Sequence, residues 1–164
     1  MRPPALRLTG FLLPALLAAL GIAVAEETGP PPRDTIFARK ILMGTIGMTM
    51  DEIEGMLEPG AKFDAGEARE GADLISVLLM TFPHMFPPAT NQWQEGRARD
   101  PALDTFASPL LWSNFADFYG RATAASKVAF EASRAATFAE FKARMAELRT
   151  TCDGCHGTYV KPGD

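Results

Sequence analysis

Cysteine and histidine are scarce in this chain of 164 residues, which contains only two of each. Both cysteines lie within four positions of one another, at Cys152 and Cys155, so a framework of several disulfides is excluded. The histidine outside this segment is His84, which follows Pro83 and is distant in sequence from both cysteines. A structural zinc site needs about four cysteine, histidine or carboxylate ligands, and this shortage disfavours one.

Basic residues are also outnumbered, with 16 Lys and Arg against 20 Asp and Glu and a formal net charge of −4. An acidic balance argues against nucleic acid and against an anionic membrane surface as partners. The sequence has no Ser/His/Asp arrangement and no glycine-rich loop that would cradle a phosphate. We therefore expect a protein that is not an enzyme.

The N-terminal segment has the composition of a secretory signal. Arg2 and Arg7 make a basic start, 11–22 is an apolar run, and Ala23-Val24-Ala25 is a small-residue exit. Together these features predict that residues 1–25 are a cleaved signal peptide.

An uncleaved membrane helix is the alternative interpretation of this segment. The apolar run is shorter than the ~20 residues that span a bilayer, and Pro14 interrupts it. We expect residues 26–164 to be the mature protein, one exported domain that does not stay in the membrane.

The mature segment has helical periodicity nearly everywhere. A first helix is predicted from about Arg33 to Glu58, where Pro59-Gly60 ends it. Asp64 with Glu67 is typical of a helix N-cap, and Pro83 closes the second helix that starts there. The apolar positions of these two helices are Ile36, Met43, Ile46, Met50, Ile53, Leu57, Ala68, Ile75, Leu78, Leu79 and Phe82.

The second half of the chain predicts two more helices. Pro109 suits the first turn of a third helix that runs to about Ala135, and Thr137 with Glu140 predicts the start of the last one. The inward positions of the third helix are Leu111, Phe115, Phe118, Ala122, Ala125 and Ala129. With no segment of period two, we expect an all-α antiparallel four-helix bundle with one long crossover, 83–108.

The only dense chemical motif is Cys152-Asp153-Gly154-Cys155-His156. Two thiols three apart can each add to a vinyl group of a haem, and the adjacent imidazole can bind the iron, which is the signature of c-type haem attachment. A thioredoxin-like dithiol is one alternative, but it belongs in a βαβ setting. A pair of core cysteines is the other.

This motif lies on the apolar stripe of the last helix. The stripe steps by three and four through Phe138, Phe141, Met145, Leu148, Cys152, Cys155 and Tyr159, so we expect the haem to be held against the bundle interior. His156 lies on the flank of the stripe. The eight residues after it contain no Met, His or Cys, and any second iron ligand must come from upstream.

A C-terminal haem motif on the fourth helix of an exported bundle resembles cytochrome c′, the class II c-type cytochromes, over essentially the whole mature chain. The resemblance also includes Arg39 with Met43 four residues later, Met85-Phe86-Pro87, Tyr159, and the stretch 104–112, Asp-Thr-Phe-Ala-Ser-Pro-Leu-Leu-Trp. The position of the motif together with this stretch is far more specific than the motif alone.

The resemblance implies one covalently attached haem c with His156 as its sole protein ligand. It also implies that Met43 closes the opposite face, without a hydrogen-bond donor, and that Arg39 lies near a propionate. The other haem neighbours that it implies are Lys40, Thr105, Trp112 and Tyr159. Members of the family bind nitric oxide and carbon monoxide, disfavour dioxygen, and are usually periplasmic homodimers formed through the first two helices.

Three alternatives stay open at this point. Met43 could be ordinary packing, or Met43 or Met50 could ligate the iron in a six-coordinate electron carrier with an unknown redox partner. Arg39 could be a solvated helix charge. The family also often has a basic residue four positions after the axial histidine, where this chain has Val160.

A second copy of the chain is the predicted partner for the outer face of the first helix. That helix carries more apolar residues than one buried stripe can use: Ile41, Ile46, Met48 and Met56. Packing them against another copy would remove them from water.

Overall fold

The computed structural model describes residues 29–96 and 105–161. The expected signal peptide and Asp104 lie outside them. Four long helices, Pro32–Leu57 (α1), Ala65–Thr81 (α2), Phe115–Ser133 (α4) and Phe138–Tyr159 (α5), form the bundle, and a four-residue helix, Leu110–Ser113 (α3), precedes α4. The all-α bundle with one long crossover is confirmed. Ala107 and Val160 form one isolated antiparallel bridge.

Side-chain caps start two of these helices where the sequence predicted them. The Asp64 carboxylate accepts hydrogen bonds from the backbone N–H groups of Gly66 and Glu67 at 2.9 and 3.1 Å. The Thr137 hydroxyl accepts the N–H of Glu140 at 3.2 Å. These bonds satisfy donors that the first turn of a helix leaves unpaired.

The predicted third helix, Pro109 to Ala135, is wrong as one continuous element. The backbone leaves helical geometry at Asn114, with φ −124° and ψ 42°, and α4 ends at Ser133. The side chain of Asn114 donates to the Tyr159 hydroxyl at 3.1 Å, a tertiary contact that accompanies the break. After the break Phe115 does not face the core and is 39% exposed.

The crossover contains local structure that the sequence did not predict. Two 3₁₀ turns occupy Phe82–Met85 and Pro88–Thr90. The prolines at the start of each turn suit it because their fixed φ is already close to the required value and they lack an N–H.

The contact between α2 and α4 is the most extensive in the bundle. Small buried side chains line it, and they let the two backbones approach closely: Ala68, Ala72, Ser76, Ala125, Ser126, Ala129 and Ala132. The hydroxyl of Ser126 donates to the carbonyl of Ser76 at 2.8 Å, so the polar groups within this contact are satisfied.

The opposite side of the bundle is much looser. The helices α1 and α5 approach one another only marginally. Long side chains join them instead, because the Arg149 guanidinium donates to both carboxylate oxygens of Glu54 at 2.6 and 2.7 Å. We call this boundary, from Arg39 to Glu54 on α1 and from Arg149 to His156 on α5, the α1–α5 seam.

Three apolar residues lie differently from their sequence predictions. Ile46 is buried in the core at 3% exposure, as its place on the first-helix stripe predicted, and not on the outer face; Met56 is partly buried against the same core. Phe138, the first residue of the α5 stripe, is 48% exposed and contacts the ring of Phe63 edge-on. It occupies the first turn of α5, where the helix has only begun to enter the core.

Candidate haem site

The last turns of α5 bring the motif Cys152–His156 to the end of the bundle. Phe141, Met145, Leu148 and Tyr159 of the same stripe are buried, as the spacing predicted. Cys152 and Cys155 are half-buried and His156 is exposed. The two thiols therefore follow the core face of α5 while the imidazole stands at its edge.

The two cysteines face different clusters. Cys152 packs against the main core of the bundle, which also takes in Met43. Cys155 packs against a second cluster, which we call the aromatic cluster, built around Phe82, Phe86, Leu111, Trp112, Phe118 and Tyr159. Its rings meet mostly edge to face at centroid distances near 5 to 6 Å, a favourable geometry for aromatic pairs.

Burial raises the pKa of both the Cys152 and the Cys155 thiol above its ordinary value. Reactive dithiols have the opposite property, a lowered pKa that makes the thiolate available at neutral pH. The environment of these cysteines therefore argues against the thioredoxin-like alternative.

The bond between Arg149 and Glu54 fixes the register of α1 against α5. The helices run antiparallel with the same rise per residue. The residue seven positions after Arg149 therefore lies opposite the residue seven positions before Glu54. Gly47 of α1 thus lies within about one helical turn of the level of His156 of α5. Met43 follows one helical turn further along, on a part of α1 that faces the core.

Arg39 is the most heavily bonded residue at this end of α1, and its side chain is 3% exposed. Its guanidinium donates to the Thr105 hydroxyl at 2.7 Å, to the Thr90 hydroxyl at 2.9 Å and, more weakly, to the backbone carbonyls of Thr90 and Met85. It also lies 4.5 Å from the ring centroid of Phe86. The interpretation of Arg39 as a solvated helix charge is wrong.

These contacts leave the charge of Arg39 without an anion among the described residues. No described carboxylate forms an ion pair with it, and its Nε is buried without a hydrogen-bond partner. Burial lowers the pKa of Arg39 to about 10, so the group is still protonated at neutral pH. A buried cation with an unused donor is suited to binding a carboxylate.

Comparison with known proteins now decides the family. The family model for cytochrome c′ matches residues 34–160. The chain belongs to the cytochrome c′ family. Cytochrome c-556 of Agrobacterium tumefaciens strain II Chrys is 31% identical over 125 residues, 74% of this chain and 92% of the relative. Cytochrome c′ of Rubrivivax gelatinosus is 30% identical over 131 residues, 78% of this chain and 95% of the relative.

Solved structures show the same architecture. Cytochrome c′ from Rubrivivax gelatinosus superposes with a TM-score of 0.65 at 29% identity, over 79% of this chain and 97% of that one. Cytochrome c′ from Shewanella frigidimarina reaches a TM-score of 0.70 at 24% identity, over 82% and 99%.

Family membership confirms the predicted cofactor, a covalently attached haem c. The residues present fit that group. The chain supplies two thiols spaced for thioether bonds and an imidazole beside them, and Arg39 offers an unpaired donor of the kind that a haem carboxylate requires. When bound, the haem supplies an iron that can take up small ligands or an electron.

The remaining predicted neighbours are placed as follows. Thr105 and Trp112 both contact Arg39, the first through its hydroxyl and the second with its ring centroid 5.6 Å from the guanidinium. Tyr159 is buried in the aromatic cluster beside Cys155. Lys40 is exposed on α1. None of the helices in the described ranges is long and apolar enough to cross a bilayer.

Two charged residues of α4 that lie against this end of α5 were not identified from the sequence. Asp117 accepts a hydrogen bond from the Tyr159 hydroxyl, and Arg121 donates one to the backbone carbonyl of Gly154. Their i,i+4 spacing is visible in the sequence and typical of a helical ion pair. Such pairs are common on solvated faces, so the spacing alone does not indicate a contact with the haem motif.

Proposed function

We propose that this protein is a periplasmic five-coordinate c-type haemoprotein that binds nitric oxide and carbon monoxide. Cys152 and Cys155 carry the thioether bonds and His156 is the only protein ligand of the iron. The opposite face of the haem is then free for a small gas, and the haem also allows the protein to pass on an electron.

The observation that carries this proposal is the composition of α1 across the seam. At the level of His156 and one turn beyond it, α1 has Gly44, Gly47, the buried Ile46 and the half-buried thioether of Met43. Thr45, in the same turn, already donates its hydroxyl to the carbonyl oxygen of Ile41 at 3.0 Å, and the other side chains of this turn have no donor. Bound dioxygen is polar and is stabilised by a donor in the distal pocket, so an apolar wall favours nitric oxide and carbon monoxide.

The polar end of the proposed pocket lies at Arg39. Its buried guanidinium with one unused N–H would receive a haem propionate, and Thr105 would hold the guanidinium in place through the bond at 2.7 Å. Lys40 would stand at the outer edge of the haem, and Trp112 and Tyr159 would pack near its Cys155 side. A neighbour of the same fold, the L16I mutant of cytochrome c′ from Alcaligenes xylosoxidans, was solved as a nitric oxide complex.

Titration of the reduced holoprotein with carbon monoxide, followed by visible absorption, tests this proposal. We expect saturable binding of one carbon monoxide per haem with a single set of isosbestic points. A reduced spectrum that does not change at saturating carbon monoxide would overturn the proposal.

A six-coordinate electron carrier is the second candidate, and the position of Met43 favours it. A thioether from α1 is the ligand such a site needs, and Met43 packs in the same core as Cys152. Three of the chain's relatives are named cytochrome c-556 rather than cytochrome c′. In this candidate Met43 occupies the sixth position and carbon monoxide does not bind.

We also propose that the protein is a homodimer formed through the outer face of α1. Phe37, Ile41 and Met48 are exposed there at spacings of four and seven, so they line one side of the helix, away from the core. Another cytochrome c′ of this fold is described as a dimer whose dissociation is controlled by ligand.

Sedimentation of the holoprotein at micromolar concentration tests the dimer. We expect twice the mass of one chain, and we expect Ile41→Glu to give the monomer because it places a charge in the middle of the apolar face. A wild-type monomer would refute the dimer.

A further inference from the structure

The ion pair between Asp117 and Arg121 lies on α4 beside the haem motif. The Arg121 Nε is 2.7 Å from the Asp117 Oδ2, and both side chains are partly exposed. The same guanidinium donates through Nη1 to the carbonyl oxygen of Gly154 at 3.3 Å. Gly154 lies between the two cysteines and immediately precedes Cys155. Arg121 therefore contacts the backbone of the motif itself.

The carboxylate of this pair reaches α5 at a second point. The Tyr159 hydroxyl donates to the Asp117 Oδ2 at 2.5 Å and accepts from the side-chain amide of Asn114 at 3.1 Å. Tyr159 is buried, and Arg121 lies 5.9 Å from its ring centroid. The pair therefore holds α5 immediately before and one turn after Cys155.

Both charges lie near Cys155, because Arg121 contacts the residue before it and Asp117 contacts Tyr159 one turn after it. The two charges oppose each other at the position where the haem is tethered. Any net effect on the haem depends on the balance between them.

We propose that Asp117 and Arg121 are positioning residues that hold the haem motif and, through their opposed charges, set the reduction potential of the haem. Reduction adds an electron, so a nearby cation favours the reduced state and a nearby anion disfavours it. In the wild type each charge is partly compensated by the other, because the two form an ion pair. The inference rests on haem attachment at Cys152 and Cys155 and does not depend on gas binding.

Redox titration of the holoprotein distinguishes this role from a purely structural one. Arg121→Gln leaves the anion uncompensated, so we expect a lower reduction potential. Asp117→Asn leaves the cation, so we expect a higher one. The double variant should return close to the wild-type potential, and all shifts should shrink in high salt because the pair is partly exposed.

A matched control lies on the same helix as the haem motif. Arg144 and Glu147 of α5 form an ion pair at 2.7 Å with comparable exposure, about 10 to 15 Å along the helix from Gly154. Arg144→Gln and Glu147→Gln should leave the potential unchanged, because the pair is far from the haem.

Two results would overturn the inference: shifts of the same sign in Arg121→Gln and Asp117→Asn, or no shift in either. Equal shifts in the control pair would overturn it as well. Wild-type protein without attached haem, seen by pyridine haemochrome assay before titration, would refute the haem assignment and this inference together. A low-spin wild type that ignores carbon monoxide would refute gas binding, while the potentials would still test the charge effect.

Discussion

The contact between α2 and α4 is tightly packed and the α1–α5 seam is not, and this difference follows from side-chain size. We call the first the tight seam and the second the loose seam. Alanine and serine line α2 and α4, so these helices pack closely along their length. Methionine, arginine and the two cysteines line α1 and α5, which meet mainly through the long Arg149–Glu54 bridge. One pair of helices is tightly packed, and the other is looser at the end where the haem motif lies.

The same contrast separates two kinds of buried polar group. In the tight seam the polar groups of Ser76 and Ser126 form hydrogen bonds with each other. At the end of the loose seam Arg39 is buried with its charge and one N–H unmatched by any described acidic residue. The same fold therefore contains one buried polar contact whose groups satisfy each other and one whose groups are not all satisfied by the described residues.

The largest effect should come from breaking the tether in the loose seam. We expect Cys152→Ala/Cys155→Ala to release its haem into acidified acetone, while the wild-type protein keeps its colour. A covalent tether constrains the unfolded chain as a crosslink does. The double variant should therefore lose about 2–5 kcal/mol in free energy of unfolding, measured by denaturant titration. Haem that leaves the wild type under the same extraction would refute covalent attachment.

A larger residue in the tight seam should have the next largest effect. Ala129 is fully buried between α2 and α4, so Ala129→Leu should cost about 1–3 kcal/mol in free energy of unfolding. Ala124, on the exposed side of the same helix, is the matched control, and Ala124→Leu should be close to neutral. Equal effects of the two substitutions would show that the contact is not tightly packed.

Shortening a side chain in the loose seam should change ligand binding instead. If Met43 closes the open face, carbon monoxide must displace it at a steric cost of order 1–3 kcal/mol. Met43→Ala should therefore tighten carbon monoxide binding by roughly tenfold, since about 1.4 kcal/mol corresponds to one decade in affinity.

The matched control for this variant is Met80→Ala, because Met80 is exposed on α2. It should leave the affinity unchanged. If Met43→Ala changes neither the affinity nor the spectrum, Met43 is only part of the core and the assignment of the distal face is wrong.

Local patterns were enough to predict the helices and the haem motif. The caps at Asp64 and Thr137 and the α5 stripe depend on residues within one or two turns of each other. The helix break at Asn114 was not predictable because its partner, Tyr159, is 45 positions away. For the same reason the spacing of Asp117 and Arg121 revealed an ion pair but not its contacts with Tyr159 and Gly154.

Arg39 shows the opposite case, in which a family pattern located a residue whose environment only the structure explains. Its position four residues before Met43 marked it in the sequence. Its partners Thr90 and Thr105 come from the crossover, 51 and 66 positions away. No local rule predicts that a proline-rich connection folds back over a helix and buries a cation there.

We infer that the loose seam leaves the sixth position of the iron open, with Met43 beside it but not bound to it. The spin state of the reduced wild-type holoprotein, measured by absorption together with magnetic circular dichroism, tests this most directly. We expect a high-spin, five-coordinate haem. A low-spin haem that becomes high-spin only in Met43→Ala would contradict it, and would identify the protein as a six-coordinate electron carrier.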